Sequence, residues 1–112
     1  MSASYLSRNR ASALRFLRAY GDGIQRVRAD RAATLRVLAR HTKVEEPEIL
    51  AELYRIYGVK YLEKIPYVTL EGVEEVLRTE AKGAEGAKAA DFVDNSLVAE
   101  LEREGWYKRY NF

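Results

Sequence analysis

The 112-residue chain has no cysteine, one histidine, two prolines and seven glycines. Without cysteine there are no disulfides, no thiolate zinc sites and no thiol nucleophile. A lone His41 excludes a two-histidine metal motif. So few prolines and glycines leave little room for a turn-rich all-β fold. No apolar run approaches the ~20 residues of a membrane span. The stretch Met1 to Arg10 lacks the apolar region of a signal peptide, so the chain as it stands is expected to be cytoplasmic.

What is present reads as globular: 47% of residues are hydrophobic and 32% charged. The length suits one domain, residues 1–112, which hides roughly 65% of its unfolded surface in one modest core. The net charge of +2 covers an asymmetry. Residues 1–43 hold ten Lys/Arg against two Asp, a balance of +8, while residues 44–112 hold nine against fifteen, a balance of −6. The simplest use of such a split is attraction between the halves or solvation of separate faces. A nucleic-acid footprint on the arginine-rich half is the alternative.

Helical periodicity dominates and strand-type alternation is nearly absent, which predicts an all-α fold of about five helices in an irregular bundle. Asn9 is placed to cap the first helix. Its stripe is Phe16, Leu17, Tyr20, Ile24 and Val27. Gly21 and Gly23 interrupt that stripe, at about 1 kcal/mol each; they are tolerable where another helix crosses closely, and a break at Gly21-Asp22-Gly23 is the rival reading. Asp30 caps a second helix with Leu35, Leu38 and Ala39 inward, ended by His41-Thr42-Lys43. Pro47 opens a third, carrying Leu50, Leu53, Tyr54 and Tyr57, which Gly58 ends or kinks. Ile65-Pro66-Tyr67 is an extended connector. Thr69 caps a fourth helix with Leu70, Val73, Val76 and Leu77 inward. Residues 82–90 read as a flexible linker. A fifth helix from Asp94 or Asn95 turns Leu97, Val98 and Leu101 inward and is closed by Gly105.

The search for chemistry yields mostly absences. Gly83 to Lys88 has phosphate-loop composition with the wrong spacing, and Ala89 stands where a magnesium-binding hydroxyl is needed. Asp91, Asp94 and Asn95 lack the ligand spacing of a calcium loop and read as helix caps. Glu71, Glu74 and Glu75 share one solvated face. His41 has no nucleophile beside it and sits where a cation complements a helix dipole. No catalytic residue, metal site or cofactor is therefore expected, and the chain is read as a non-enzyme. Tyr54, Tyr57 and Tyr61 lie on one side of the third helix and are the only candidates for stacking on a ligand. An apolar face seeking a partner is assigned to Leu14, Leu17, Ile24, Leu53, Tyr57 and Val76. The tail residues Trp106, Tyr110 and Phe112 must fold back on the helices or extend that face.

The order of segments is distinctive. Tyr5-Leu6-Ser7-Arg8-Asn9-Arg10 and Leu14-Arg15-Phe16-Leu17-Arg18-Ala19-Tyr20 precede Arg36-Val37-Leu38-Ala39-Arg40-His41-Thr42-Lys43 and Glu46-Pro47-Glu48-Ile49-Leu50. Ile65-Pro66-Tyr67-Val68-Thr69-Leu70-Glu71-Gly72-Val73 and Asp91-Phe92-Val93-Asp94-Asn95-Ser96 follow. From Tyr5 to Gly105 this resembles the C-terminal segment of periplasmic solute-binding proteins of ABC importers, of the nitrate, sulfonate, taurine and thiamine-pyrimidine-precursor type. The resemblance implies a helical segment packed on an α/β lobe, a periplasmic setting, and the remaining lobes or an importer subunit as partners. It carries no ligand residue to this chain, because the family's ligand groups come mostly from the lobes and hinge. Three functions follow as expectations: a solute-binding-protein-like domain unable to hold solute tightly alone, a small homo-oligomeric interaction domain, or a weak nucleic-acid binder.

Overall fold

In the computed structural model, which describes residues 1–112, six α-helices form and no strand. They are α1 (Ala3–Arg8), α2 (Arg10–Ala29), α3 (Arg31–Thr42), α4 (Pro47–Leu53), α5 (Leu70–Thr79) and α6 (Ser96–Arg103). A π-helix, Tyr54–Lys60, continues α4, and short 3-10 turns span Ala89–Phe92 and Trp106–Arg109. The all-α expectation holds, with one helix more than the periodicity gave. The extra element is α1, six residues too short to show a stripe. It is started by the Ser2 hydroxyl, which accepts from the Tyr5 N–H at 3.2 Å.

Capping explains most boundaries. The Asp30 carboxylate accepts from the Ala33 N–H at 2.9 Å, and the Thr69 hydroxyl accepts from the Gly72 N–H at 3.1 Å. Pro47 occupies the first turn of α4, where a missing N–H costs nothing. Lys43 and Gly105 take left-handed conformations at φ 59° and 77° and terminate the helices before them. One expected cap fails. Asn9 donates its amide back to the Tyr5 carbonyl at 3.2 Å, because α1 runs directly into α2 and leaves it no extended conformation. At α6 it is Asp94, the other residue expected at that start, whose carboxylate accepts from the Ser96 N–H at 2.9 Å, while Asn95 clasps the Val68 backbone, accepting from its N–H and donating to its carbonyl, both at 2.9 Å.

The long α2 runs unbroken through Gly21 and Gly23 and packs against α1, α3, α6 and the π-helix. What approaches Gly21 is a side chain rather than a helix: a Cβ there would lie 2.6 Å from the Tyr110 hydroxyl. Gly58 lies two residues before the end of the third helix at Lys60. It sits inside the π-helical turn, where a Cβ would meet the Tyr54 ring at 3.1 Å and Val27 at 3.3 Å. Residues 82–87 form two turns through Gly83 and Gly86, both at positive φ, before Ala89 enters the interior.

The core gathers Val98, Leu101, Tyr107 and Tyr110, with Leu14, Leu17, Ile65, Trp106 and Phe112 around them. The halves do attract: Arg10 pairs with Glu100 at 2.6 Å and Arg18 with Glu104 at 3.0 Å, tying basic α2 to acidic α6. Exposed pairs of this kind contribute about 0–1 kcal/mol each. The arrangement is flat, 45 × 36 × 21 Å, with a radius of gyration of 16.8 Å, against about 13 Å for a chain of this length packed as a single globule.

Candidate interaction surface

Each candidate side chain has a definite place. Tyr54 is buried, and its hydroxyl donates to the Val27 carbonyl at 3.0 Å, which ties the π-helix to α2. The Arg31 guanidinium lies 5.5 Å from the centre of its ring. Tyr57 and Tyr61 are exposed, with ring centroids 6.4 Å apart and tilted by 44°. The three tyrosines therefore form no common stacking pocket: the π-helical turn rolls Tyr54 inward and leaves the other two outside. The concave surface beside Tyr54, about 410 Å³, is lined by Arg31, Glu48, Ala51, Glu52, Arg55 and Val59 as well. Its charges are of both signs, and Arg55 and Glu52 already satisfy one another through two bonds of 3.0 and 2.6 Å. That pairing, with its two hydrogen bonds, holds the Glu52 carboxyl below the usual carboxylate range. Little is left there to select an ion of one sign.

The residues assigned to an unpartnered face divide. Ile24 and Tyr110 are buried in the chain's own interior, at 4% and 6% exposure, and are not available to a partner. Leu14, Leu17, Trp106 and Phe112 are half-buried against the core, and Leu53 is half-buried in α4. Tyr57 and Val76 remain exposed. Val76 and Leu70, expected inward, face out at 54% and 50%, because α5 packs chiefly on the 3-10 turn Ala89–Phe92 rather than on the bundle. Phe16 and Tyr20, placed by periodicity in the stripe of the long helix, are also exposed, and so are Tyr5, Val37, Ile49, Tyr67, Val68 and Phe92.

The aromatic tail does fold back. The Tyr110 hydroxyl sits in the notch above Gly21, accepts from the Trp106 indole N–H at 3.0 Å and donates to the Asp22 carboxylate at 2.9 Å. Lys64 donates to the Tyr110 carbonyl at 3.1 Å. Arg109 and Arg18 lie over the Trp106 ring at 3.9 and 5.3 Å. Phe112 stacks on Tyr110 and receives Arg28 at 4.8 Å. Burial first, then the bond to Asp22, raises the Tyr110 phenol above its ordinary value. Burial also raises Tyr107, whose hydroxyl is enclosed without a partner. Tyr67 is raised mainly by its bond to Glu102.

His41 is exposed in the last turn of α3. Glu71, Glu74 and Glu75 face solvent, and no group of three or more His, Asp or Glu side chains converges on a metal position. No helix is long and apolar enough to cross a membrane. What the surface does offer is area. The accessible surface is 8340 Å², against about 6,300 Å² for a folded monomer of this mass. Comparison with protein-family models, with curated proteins and with solved structures returns no match.

Proposed function

We propose that the chain is a non-enzymatic helical domain that works by packing on protein, as the C-terminal helical part of a solute-binding protein of ABC import. The observation that carries this reading is the surplus surface. It amounts to about 2,000 Å², more than the roughly 800 Å² that one partner commits to a standard interface. It comes with thirteen exposed large apolar side chains. The ordered segments from Tyr5 to Gly105 give the partner its proposed identity, an α/β lobe of the nitrate, sulfonate and taurine type. The paired charges beside Tyr54 and the separation of Tyr54 from Tyr57 and Tyr61 fit a chain that holds no solute tightly alone.

Calorimetry of the isolated chain with taurine, alkanesulfonates, nitrate and thiamine precursors tests this. No saturable heat is expected up to millimolar concentration. Micromolar binding would show that the chain carries a complete solute site and would overturn the reading.

A further inference from the structure

No hydrogen bond or ion pair links residues 69–93 to the rest of the chain. The Thr69 hydroxyl accepts from Gly72, Arg78 pairs with Glu75, and the Thr79 hydroxyl donates to the Glu75 carbonyl. The backbone bonds of the turns, Ala87 to Ala84 and Asp91 to Lys88, also close inside the segment. Its helix α5 packs chiefly on the segment's own 3-10 turn Ala89–Phe92, with Val73 and Leu77 half-buried and Ala89 buried. The core around Val98, Leu101, Tyr107 and Tyr110 takes no residue from it. One side chain holds the two ends together. The Asn95 amide accepts from the Val68 N–H and donates to the Val68 carbonyl, both at 2.9 Å. Each side of this neck is anchored: Leu97, Val98 and Leu101 bury α6, and the Tyr67 hydroxyl donates to Glu102 of the same helix.

We infer that residues 69–93 are an arm that melts and re-forms as one unit while the core stays folded, and that Asn95 is the latch that sets how often it does so. A helix as short as α5 is marginal in water by itself, so it persists through its contact with the 3-10 turn. Melting therefore costs the arm only contacts internal to it. The clasp keeps the ends of the melted segment together and so limits the conformations it gains. Without the clasp the melted form is favoured. Only an amide can play this part, because it accepts and donates at once, whereas a carboxylate of the same shape only accepts. Units that open separately from the core are the ones that order–disorder switching draws on. This inference concerns the chain by itself and stands apart from the solute-binding reading.

Amide hydrogen exchange tests it on the full chain and two variants. In the wild-type chain the amides of α5 and of the turn Ala89–Phe92 should exchange together, and faster than those of α2 and α6. Asn95→Asp keeps an acceptor for the Val68 N–H but sets a carboxylate oxygen against the Val68 carbonyl. Aspartate is as good as asparagine at a helix start, so α6 is spared. Exchange of the arm should speed up about tenfold, with α2 and α6 unchanged. Gly21→Ala strains the core instead, where the new Cβ meets the Tyr110 hydroxyl. It should speed exchange in α2 and α6 and leave the arm as it was. Arm amides that exchange only with the core in the wild-type chain would overturn the inference. So would arm amides that ignore Asn95→Asp, or that follow the core in Gly21→Ala.

Discussion

Gly21 and Gly23 lie two residues apart in one helix and carry opposite consequences. At Gly21 a Cβ would press on the Tyr110 hydroxyl at 2.6 Å, while at Gly23 it would meet nothing within 4 Å. Gly21→Ala must therefore displace the hydroxyl that joins Trp106 to Asp22, and overpacking of this kind costs about 1–3 kcal/mol. Gly23→Ala removes only the entropic penalty of glycine in a helix and should stabilise by about 0.5–1 kcal/mol. Chemical denaturation of the two variants should shift the midpoint in opposite directions; shifts of the same sign would contradict the notch. The sequence marks both glycines as anomalies in a stripe, but cannot tell them apart, because the group that distinguishes them, the Tyr110 hydroxyl, comes from the other end of the chain.

At the scale of elements, local chemistry was the readable part. Asp30, Pro47, Thr69 and Gly105 act at the ends where their side chains or backbone freedom place them. What periodicity could not supply was which stripe finds cover. The four-position pattern of α5 is as regular as that of α6, yet only α6 meets the core, so Leu70 and Val76 face out while Leu97, Val98 and Leu101 are enclosed. The π-helix is another tertiary effect: close approach of Val27 and Tyr54 at Gly58 favours the wider turn, and this separates Tyr54 from Tyr57 and Tyr61. The tail element has a consequence with pH. Tyr107 and Tyr110 hold their protons more firmly in the fold than the ordinary phenol value of about 10. Their contribution is complete below that pH and is lost as pH rises above it toward the raised folded values, since the unfolded chain ionises first. Alkaline titration followed by tyrosinate absorbance and Trp106 fluorescence should show late-ionising phenols whose ionisation coincides with release of the tail. Ionisation of all eight tyrosines in one ordinary step, with Trp106 unmoved, would contradict the buried tail.

At the scale of the molecule, the chain is a flat helical layer with one modest core and more surface than its mass requires. Composition indicated a chain that folds; it gave no sign of how thinly the layer would spread, because amphipathic stripes read alike whether their cover is intramolecular or not. The internal pairing of its pocket charges and its uncovered apolar side chains are what the proposed packing on another protein surface rests on. The most direct test joins the chain to that surface. The two α/β lobes of a nitrate- or sulfonate-type binding protein, prepared without their C-terminal helices, are titrated with this chain and followed by sedimentation and hydrogen exchange. A saturable one-to-one complex in which Phe16, Tyr20, Leu70 or Val76 gains protection is the predicted result. Lobes and chain that sediment independently at high micromolar concentration, with those helices exchanging unchanged, would contradict the account.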